Sequence, residues 1–213
     1  MPANDALLHN WFYGNYSVRL VACIGFAFLM GSIPVGPVTT WMFSDLHPRL
    51  ARAAAGLVPV INALKAFVPT AIAGHGGGES IGLYAAAAAL IGHCFCPWRR
   101  FNGGTGVAVE AGVLLALCWP AALAYVAIWC VAALSSNYAV VGSLLASAFV
   151  IVSLWFFLGP SGALLALLML LVVASRQRAS FVRLSEGREP LLVAPRRARP
   201  SVARGDRQAV ESV

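Results

Sequence analysis

The residues with the most chemical potential lie between Gly92 and Gly112, in the order Gly-His-Cys-Phe-Cys-Pro-Trp-Arg-Arg-Phe-Asn-Gly-Gly-Thr-Gly-Val-Ala-Val-Glu-Ala-Gly. At Gly103, Gly104 and Gly106 the backbone can take positive φ angles and approach a ligand closely. A helix starting at Thr105 would turn unpaired N–H groups and a partial positive charge back into that turn. Such an arrangement suits an anion, most naturally a phosphate. His93 stands just before the turn and can orient it or act as a base, while Arg99 and Arg100 bring positive charge. The same string also reads as a plain glycine-rich hairpin between two membrane helices, and His93 as a structural histidine.

Two further polar groups lie inside apolar runs. Asn62 and Lys65 are three residues apart and share one helix face. A lysine facing lipid at the bilayer centre costs roughly 3 kcal/mol, so Lys65 must pair inside the bundle or snorkel. Glu110 is the only acidic residue between Glu79 and Glu186. Lys65 is the intramembrane group of opposite sign, which predicts a Lys65–Glu110 contact. Snorkelling of Glu110 is the alternative.

The elements that hold these groups follow from composition. Of the 213 residues, 60% are hydrophobic and only 11% are charged. That is a membrane protein. The net charge of +7 does not indicate nucleic-acid binding, because nine of the fifteen basic residues lie after Ala174. An arginine-rich tail fits membrane orientation and anionic lipid. The five cysteines include no Cys-x-x-Cys and the histidines show no ligand spacing, so no metal site is predicted and the thiols are read as reduced.

Apolar runs fall at about 18–43, 53–73, 81–96, 105–117, 120–134, 138–158 and 161–174. The first is interrupted by Gly31-Ser32-Ile33-Pro34-Val35-Gly36-Pro37, which should kink or break it. Several runs are shorter than a bilayer crossing requires, so some must be short or reach only partway. The expected fold is an all-α polytopic membrane protein with about seven transmembrane helices. With the N-terminus outside and the C-terminus cytoplasmic, Arg49, Arg52, Arg99, Arg100 and the tail fall inside. The opposite loops carry no lysine or arginine. The chain then divides into an extracytoplasmic segment 1–17, a membrane domain 18–174, a membrane-proximal motif 175–190 and a basic tail 191–213. The tail is read as disordered. Residues 175–189 are expected to return to the membrane surface beneath the glycine turn.

With these motifs in place, the chain resembles the bacterial acyl-phosphate-dependent glycerol-3-phosphate acyltransferases of the PlsY type. Their central motif reads approximately G-H-x-F-P-x-F-x-x-F-x-G-G-K-G-V-A-T. Gly92, His93, Phe95, Phe101, Gly103, Gly104, Gly106, Val107 and Ala108 match it. Gly31 to Gly36 resembles the family's G-S-I-P-x-G, and Asn62 to Lys65 its D-x-x-K-G. Arg178, Arg183, Leu184, Gly187 and Glu189 fit R-x-N-I-x-R-L-x-x-G-x-E. The resemblance implies transfer of a fatty acyl group from acyl phosphate to glycerol 3-phosphate in a multi-pass protein of the bacterial inner membrane. It implies no metal, cofactor or acyl-enzyme, and membrane lipid as the surroundings. The implied site comprises Lys65 and His93 as catalytic candidates. Phosphate would be held by Gly103, Gly104, Thr105, Gly106, Arg178, Ser180 and Arg183.

The chain also departs from the family pattern. Thr105 stands where the family has lysine, Ser180 where it has asparagine, and the family's first cytoplasmic loop, G-S-G-N-x-G-A-T-N-x-x-R, has no counterpart. A T-R-Y-x-S-L stretch appears as Ser136-Asn137-Tyr138-Ala139-Val140-Val141. Two readings stay open: an acyltransferase with degenerate motifs, or an inactive family member acting as a membrane scaffold or lipid-binding regulator. A protein partner supplying the missing loop is also open.

Overall fold

The computed structural model describes residues 15–43 and 48–192. Most of the N-terminal segment, the loop residues 44–47 and the tail from residue 193 lie outside the described residues. The extracytoplasmic segment 1–17, apart from its last residues, and the tail expected to be disordered fall there.

All described elements are helical. They are α1 (Tyr16–Ser32), α2 (Val35–Met42), α3 (Pro48–Gly77), α4 (Glu79–Cys94), a 3₁₀ turn (Pro97–Arg99), α5 (Val107–Leu117), α6 (Trp119–Ser136), α7 (Ala139–Arg176) and α8 (Arg178–Ser185). Among the described residues, five stretches are long and apolar enough to cross a membrane: Tyr16–Met42, Ala53–Gly77, Glu79–Arg99, Trp119–Ser136 and Ala139–Arg176. The last divides at Gly159, where φ is 67° and ψ −155°, a conformation open to glycine. The division falls at the expected Gly159-Pro160 break. Helix α5 has 11 residues, so at 1.5 Å per residue it extends roughly 16 Å, about half the hydrocarbon thickness.

The break between α1 and α2 follows from two prolines. Pro34 and Pro37 have no N–H, so the carbonyls of Met30 and Ile33 lose their helical donors. Met30 recovers a bond from the Ile33 amide at 3.4 Å, and Ile33 accepts the Val35 amide at 3.0 Å.

Helix α4 occupies the centre, packed on α1, α3 and α7, and its Ala85, Ala86 and Ala89 are fully buried. Backbones meet closely at its seam with α1. A Cβ on Gly31 would stand 2.2 Å from the Ala89 carbonyl oxygen, and one on Gly92 would stand 2.3 Å from that of Phe28. Small residues at such crossings let dispersion replace the hydrophobic drive that lipid cannot supply. The α3–α5 crossing repeats the device, with Gly112 against Ala63. Leu, Val and aromatic side chains instead cover the outer surface, as lipid requires.

The ends of the elements segregate. The α1 break, the end of α4, the start of α5 and the α7–α8 junction gather around one cavity. Ser80, Tyr84 and Ser161 line a smaller cleft together. Arg19 donates to the Gly76 carbonyl at 3.3 Å, placing one cation beside the α3–α4 turn, a loop that itself carries no basic residue.

Candidate active site

The chain from Phe95 to Gly106 folds back onto α4. The amides of Gly103 and Gly104 donate to the Cys94 and His93 carbonyls, each at 3.2 Å, and so cap α4. Arg100 and Phe101 take left-handed conformations, with φ of 51° and 63°. Gly106 has φ 90° and sits at the N-cap of α5. A Cβ on Gly104 would lie 2.3 Å from His93 Nε2, so the imidazole rests directly on this glycine.

The loop is fastened to the α1 break. Cys96 Sγ donates to the Ser32 carbonyl at 3.0 Å, and Trp98 Nε1 donates to Ser32 Oγ at 3.0 Å. Lys65 Nζ donates to the neighbouring Ile33 carbonyl at 2.6 Å. That carbonyl is the one whose helical donor Pro37 removes. All five cysteines are free thiols, and Cys96 thus contributes a hydrogen bond as well as packing.

Between the loop and the surrounding helices lies a cavity of about 840 Å³. Of the expected site residues, His93, Gly103, Gly104, Thr105, Gly106 and Ser180 line it. The amides of Thr105, Gly106, Val107 and Ala108 meet no acceptor among the described residues, and all four residues face the cavity. These are the donors available to an anion. Those of Gly103 and Gly104 are used internally, a correction to the expectation that the whole glycine turn offers its amides.

The arginines also divide differently from expectation. Arg176 braces the turn: it donates to Asn102 Oδ1 at 3.0 Å, Gly103 O at 2.8 Å and Gly104 O at 3.3 Å, and lies 5.8 Å over the Phe95 ring. Arg178 instead donates to the Ser175 carbonyl at 3.1 Å and is exposed. Arg183 pairs with Glu189 at 2.8 Å and donates to Ser180 Oγ at 2.7 Å, so it reaches the cavity wall only through these two lining residues. Arg188 pairs with Glu186.

The expected Lys65–Glu110 contact does not form. Glu110 Oε2 accepts hydrogen bonds from Tyr125 Oη at 3.0 Å and Ser147 Oγ at 2.6 Å, and the side chain is fully buried. Two hydroxyls from later helices serve Oε2 and leave Oε1 buried without a partner, while a backbone carbonyl takes the lysine.

Three groups that sequence alone did not single out for the site line the cavity with an unpartnered buried polar atom. They are Gln177 Nε2, Trp129 Nε1 and Asn62 Oδ1. Gln177 is 4% exposed, and its Oε1 accepts from Ser143 Oγ at 3.3 Å. Such groups are rare in a finished core and ask for a ligand or water. Asn62 was recognised for its spacing from Lys65, whereas nothing in their immediate neighbourhoods marks Gln177 or Trp129. The lining also has an apolar part, with Val58 and Pro59 from α3 and Val126 from α6. Pro59 and Val126 are both exposed.

A sequence model described as glycerol-3-phosphate acyltransferase matches residues 48–187. The chain belongs to the glycerol-3-phosphate acyltransferase family. Relatives of that name include one from Rhodopseudomonas palustris (strain BisB5), 34% identical over 186 residues, covering 79% of this chain and 94% of the relative. Another from Nitrobacter winogradskyi is 35% identical over 181 residues, covering 77% and 91%. Among solved structures, PlsY (YgiH), an integral membrane glycerol 3-phosphate acyltransferase, superposes with a TM-score of 0.73 at 25% identity. The match covers 81% of this chain and 94% of PlsY, in its lysophosphatidic acid form and equally in its glycerol 3-phosphate form. The chain is accordingly a helical, multi-pass protein of the bacterial inner membrane, as its apolar helices require. Among the described residues no group of three or more His, Cys, Asp or Glu is placed to hold a metal.

Proposed function

We propose that this protein transfers a fatty acyl group from acyl phosphate to the 1-hydroxyl of glycerol 3-phosphate, forming lysophosphatidic acid for phospholipid biosynthesis. The acceptor oxygen attacks the acyl carbonyl carbon, and the bond from that carbon to the phosphate oxygen breaks. Inorganic phosphate departs and takes the hydroxyl proton. No side chain need bond to the acyl group; the protein has to place two phosphates and one hydroxyl.

The observation that carries this reading is the meeting of two chemistries in one cavity. Four unpaired amides at the start of α5 suit a phosphate. Apolar lining residues in the same cavity, among them Val58, Pro59 and Val126, suit an acyl chain. Gln177 Nε2 and Asn62 Oδ1 offer a donor and an acceptor for hydroxyl groups. His93 fixes the turn through its contact with Gly104, and Lys65 acts by holding the break at Ile33. Ser180 faces the cavity, and Arg178 and Arg183 add positive potential near its mouth. Arg99, Arg100, Arg176, Arg178, Arg183 and Arg188 lie at this end and only Arg19 among the other described arginines lies beside the α3–α4 turn, a bias that supports a cytoplasmic cavity, an outside N-terminus and seven membrane segments.

Purified protein in detergent, given acyl phosphate with and without glycerol 3-phosphate, should release phosphate only with the acceptor and form lysophosphatidic acid in step. A second reading, an inactive member serving as scaffold or lipid-binding regulator, draws on Thr105 and on the internal use of Gly103, Gly104 and Arg176. Absence of turnover, with no loss of any ligand binding in Gly104→Trp, would leave that reading alone.

A further inference from the structure

The glycine turn carries Thr105 where the resembling family has lysine, and Thr105 brings no charge. A doubly charged phosphate held only by amides would lack a counter-ion, so the charge must come from another side chain. Most described cations near the cavity are already engaged. Arg176 is committed to the carbonyls of the turn, Arg183 to Glu189 and Ser180, Arg188 to Glu186, and Lys65 to Ile33. Arg178 bonds the Ser175 carbonyl at the end of α7.

Arg99 differs from all of these. It lines the cavity together with Thr105 to Ala108, and its guanidinium makes no hydrogen bond or ion pair with any described residue. Its backbone is nevertheless fixed. Cys96 and Trp98 on the same 3₁₀ turn are bonded to Ser32, and the Arg99 and Phe101 amides both donate to the Cys96 carbonyl, at 3.1 and 3.0 Å. A free side chain on a pinned backbone, at the rim of an amide-lined pocket, is arranged to meet an incoming anion. A guanidinium presents paired donors that match two phosphate oxygens.

We propose that Arg99 supplies the cation for the phosphate at the start of α5, doing from the 3₁₀ turn what the family's lysine does from position 105. The ligand class is a phosphate monoester or acyl phosphate dianion; its identity rests on the acyl-transfer reading above. Neighbouring Arg100 is exposed, does not line the cavity and serves as an internal control.

The test compares wild type, Arg99→Ala, Arg100→Ala and Arg99→Ala/Thr105→Lys in detergent. It reads KM for glycerol 3-phosphate, KM for acyl phosphate, kcat, and calorimetric binding of glycerol 3-phosphate and of inorganic phosphate. Arg99→Ala should raise one of the two KM values, or weaken binding, at least tenfold, with a smaller change in kcat. The KM that moves tells which phosphate is held. Arg100→Ala should stay within twofold, and the added Thr105→Lys should recover most of the loss. Equal behaviour of the two alanine variants, an unchanged Arg99→Ala, or no recovery by lysine overturns the proposal. If wild type turns over normally and Arg99→Ala does too, the proposal falls and acyl transfer stands. If wild type binds phosphate but transfers nothing, acyl transfer falls and the binding arms still decide on Arg99. If wild type neither binds nor turns over, both fall.

Discussion

The amine of Lys65 donates to the carbonyl of Ile33 at 2.6 Å, across the break that Pro34 and Pro37 impose on the first helix. Pro37 removes the amide that would have served this oxygen, so a side chain from α3 replaces a backbone donor. Lys65→Met should lower the melting temperature in detergent, since a hydrogen bond from a charged donor contributes about 1.5–3 kcal/mol. Adding Pro37→Ala restores an N–H four residues on, and the double variant should recover part of the loss. A double variant no more stable than Lys65→Met would refute this account.

Gly104→Ala places a methyl group 2.3 Å from His93 Nε2, inside any permissible contact, so the imidazole must move. Acyl transfer should fall by about two orders of magnitude, on the scale a roughly 1 Å misplacement costs. The melting temperature should move little. Gly25→Ala, where a new Cβ meets nothing within 4 Å, is the control and should be silent in both measurements.

Arg176 holds three acceptors of the turn at once: Asn102 Oδ1, Gly103 O and Gly104 O. Arg176→Lys keeps the charge but not the planar fork, so charge conservation should not rescue it. Both Arg176→Lys and Arg176→Gln should lose most turnover and show faster amide exchange at residues 99–105 by mass spectrometry. A lysine variant with wild-type turnover would mean that only the charge matters.

Ser147 and Tyr125 both bond Glu110 Oε2, but the Tyr125 hydroxyl also lies 3.2 Å from the Val107 carbonyl. One proton serves two acceptors there, so its share in either bond is reduced. Ser147→Ala should therefore destabilise more than Tyr125→Phe, by roughly 1 kcal/mol, the usual net worth of one hydrogen bond. Thermal unfolding of the single and double variants in detergent would settle the order, and the reverse order would sink the argument.

What the sequence makes legible here is whatever the backbone itself dictates. Two prolines at 34 and 37 break a helix wherever they occur, and Gly159-Pro160 divides an apolar run too long for one crossing. The glycine turn announces a close approach, though not to what. Partners are another matter. Lys65 ends on a carbonyl, which no residue type signals. Glu110 finds hydroxyls 15 and 37 positions later, brought together by the packing of α5, α6 and α7. Arg176 and Arg178 are alike in type and two residues apart. One closes α7 facing the turn while the other opens α8 facing away. Rotation about a helix axis separates them, and only the packed bundle sets that rotation. The same holds for the Gly103 and Gly104 amides, whose use by His93 and Cys94 depends on how the loop folds back.

Two adjacent peptide groups, Ser32 and Ile33, receive the thiol of Cys96 and the amine of Lys65, while the Ser32 hydroxyl receives the indole of Trp98. One joint thus fastens the first helix, the third and the returning loop. Melting that joint would release all three sides of the rim together, so the pocket should open and close as a single cooperative unit rather than fraying one contact at a time.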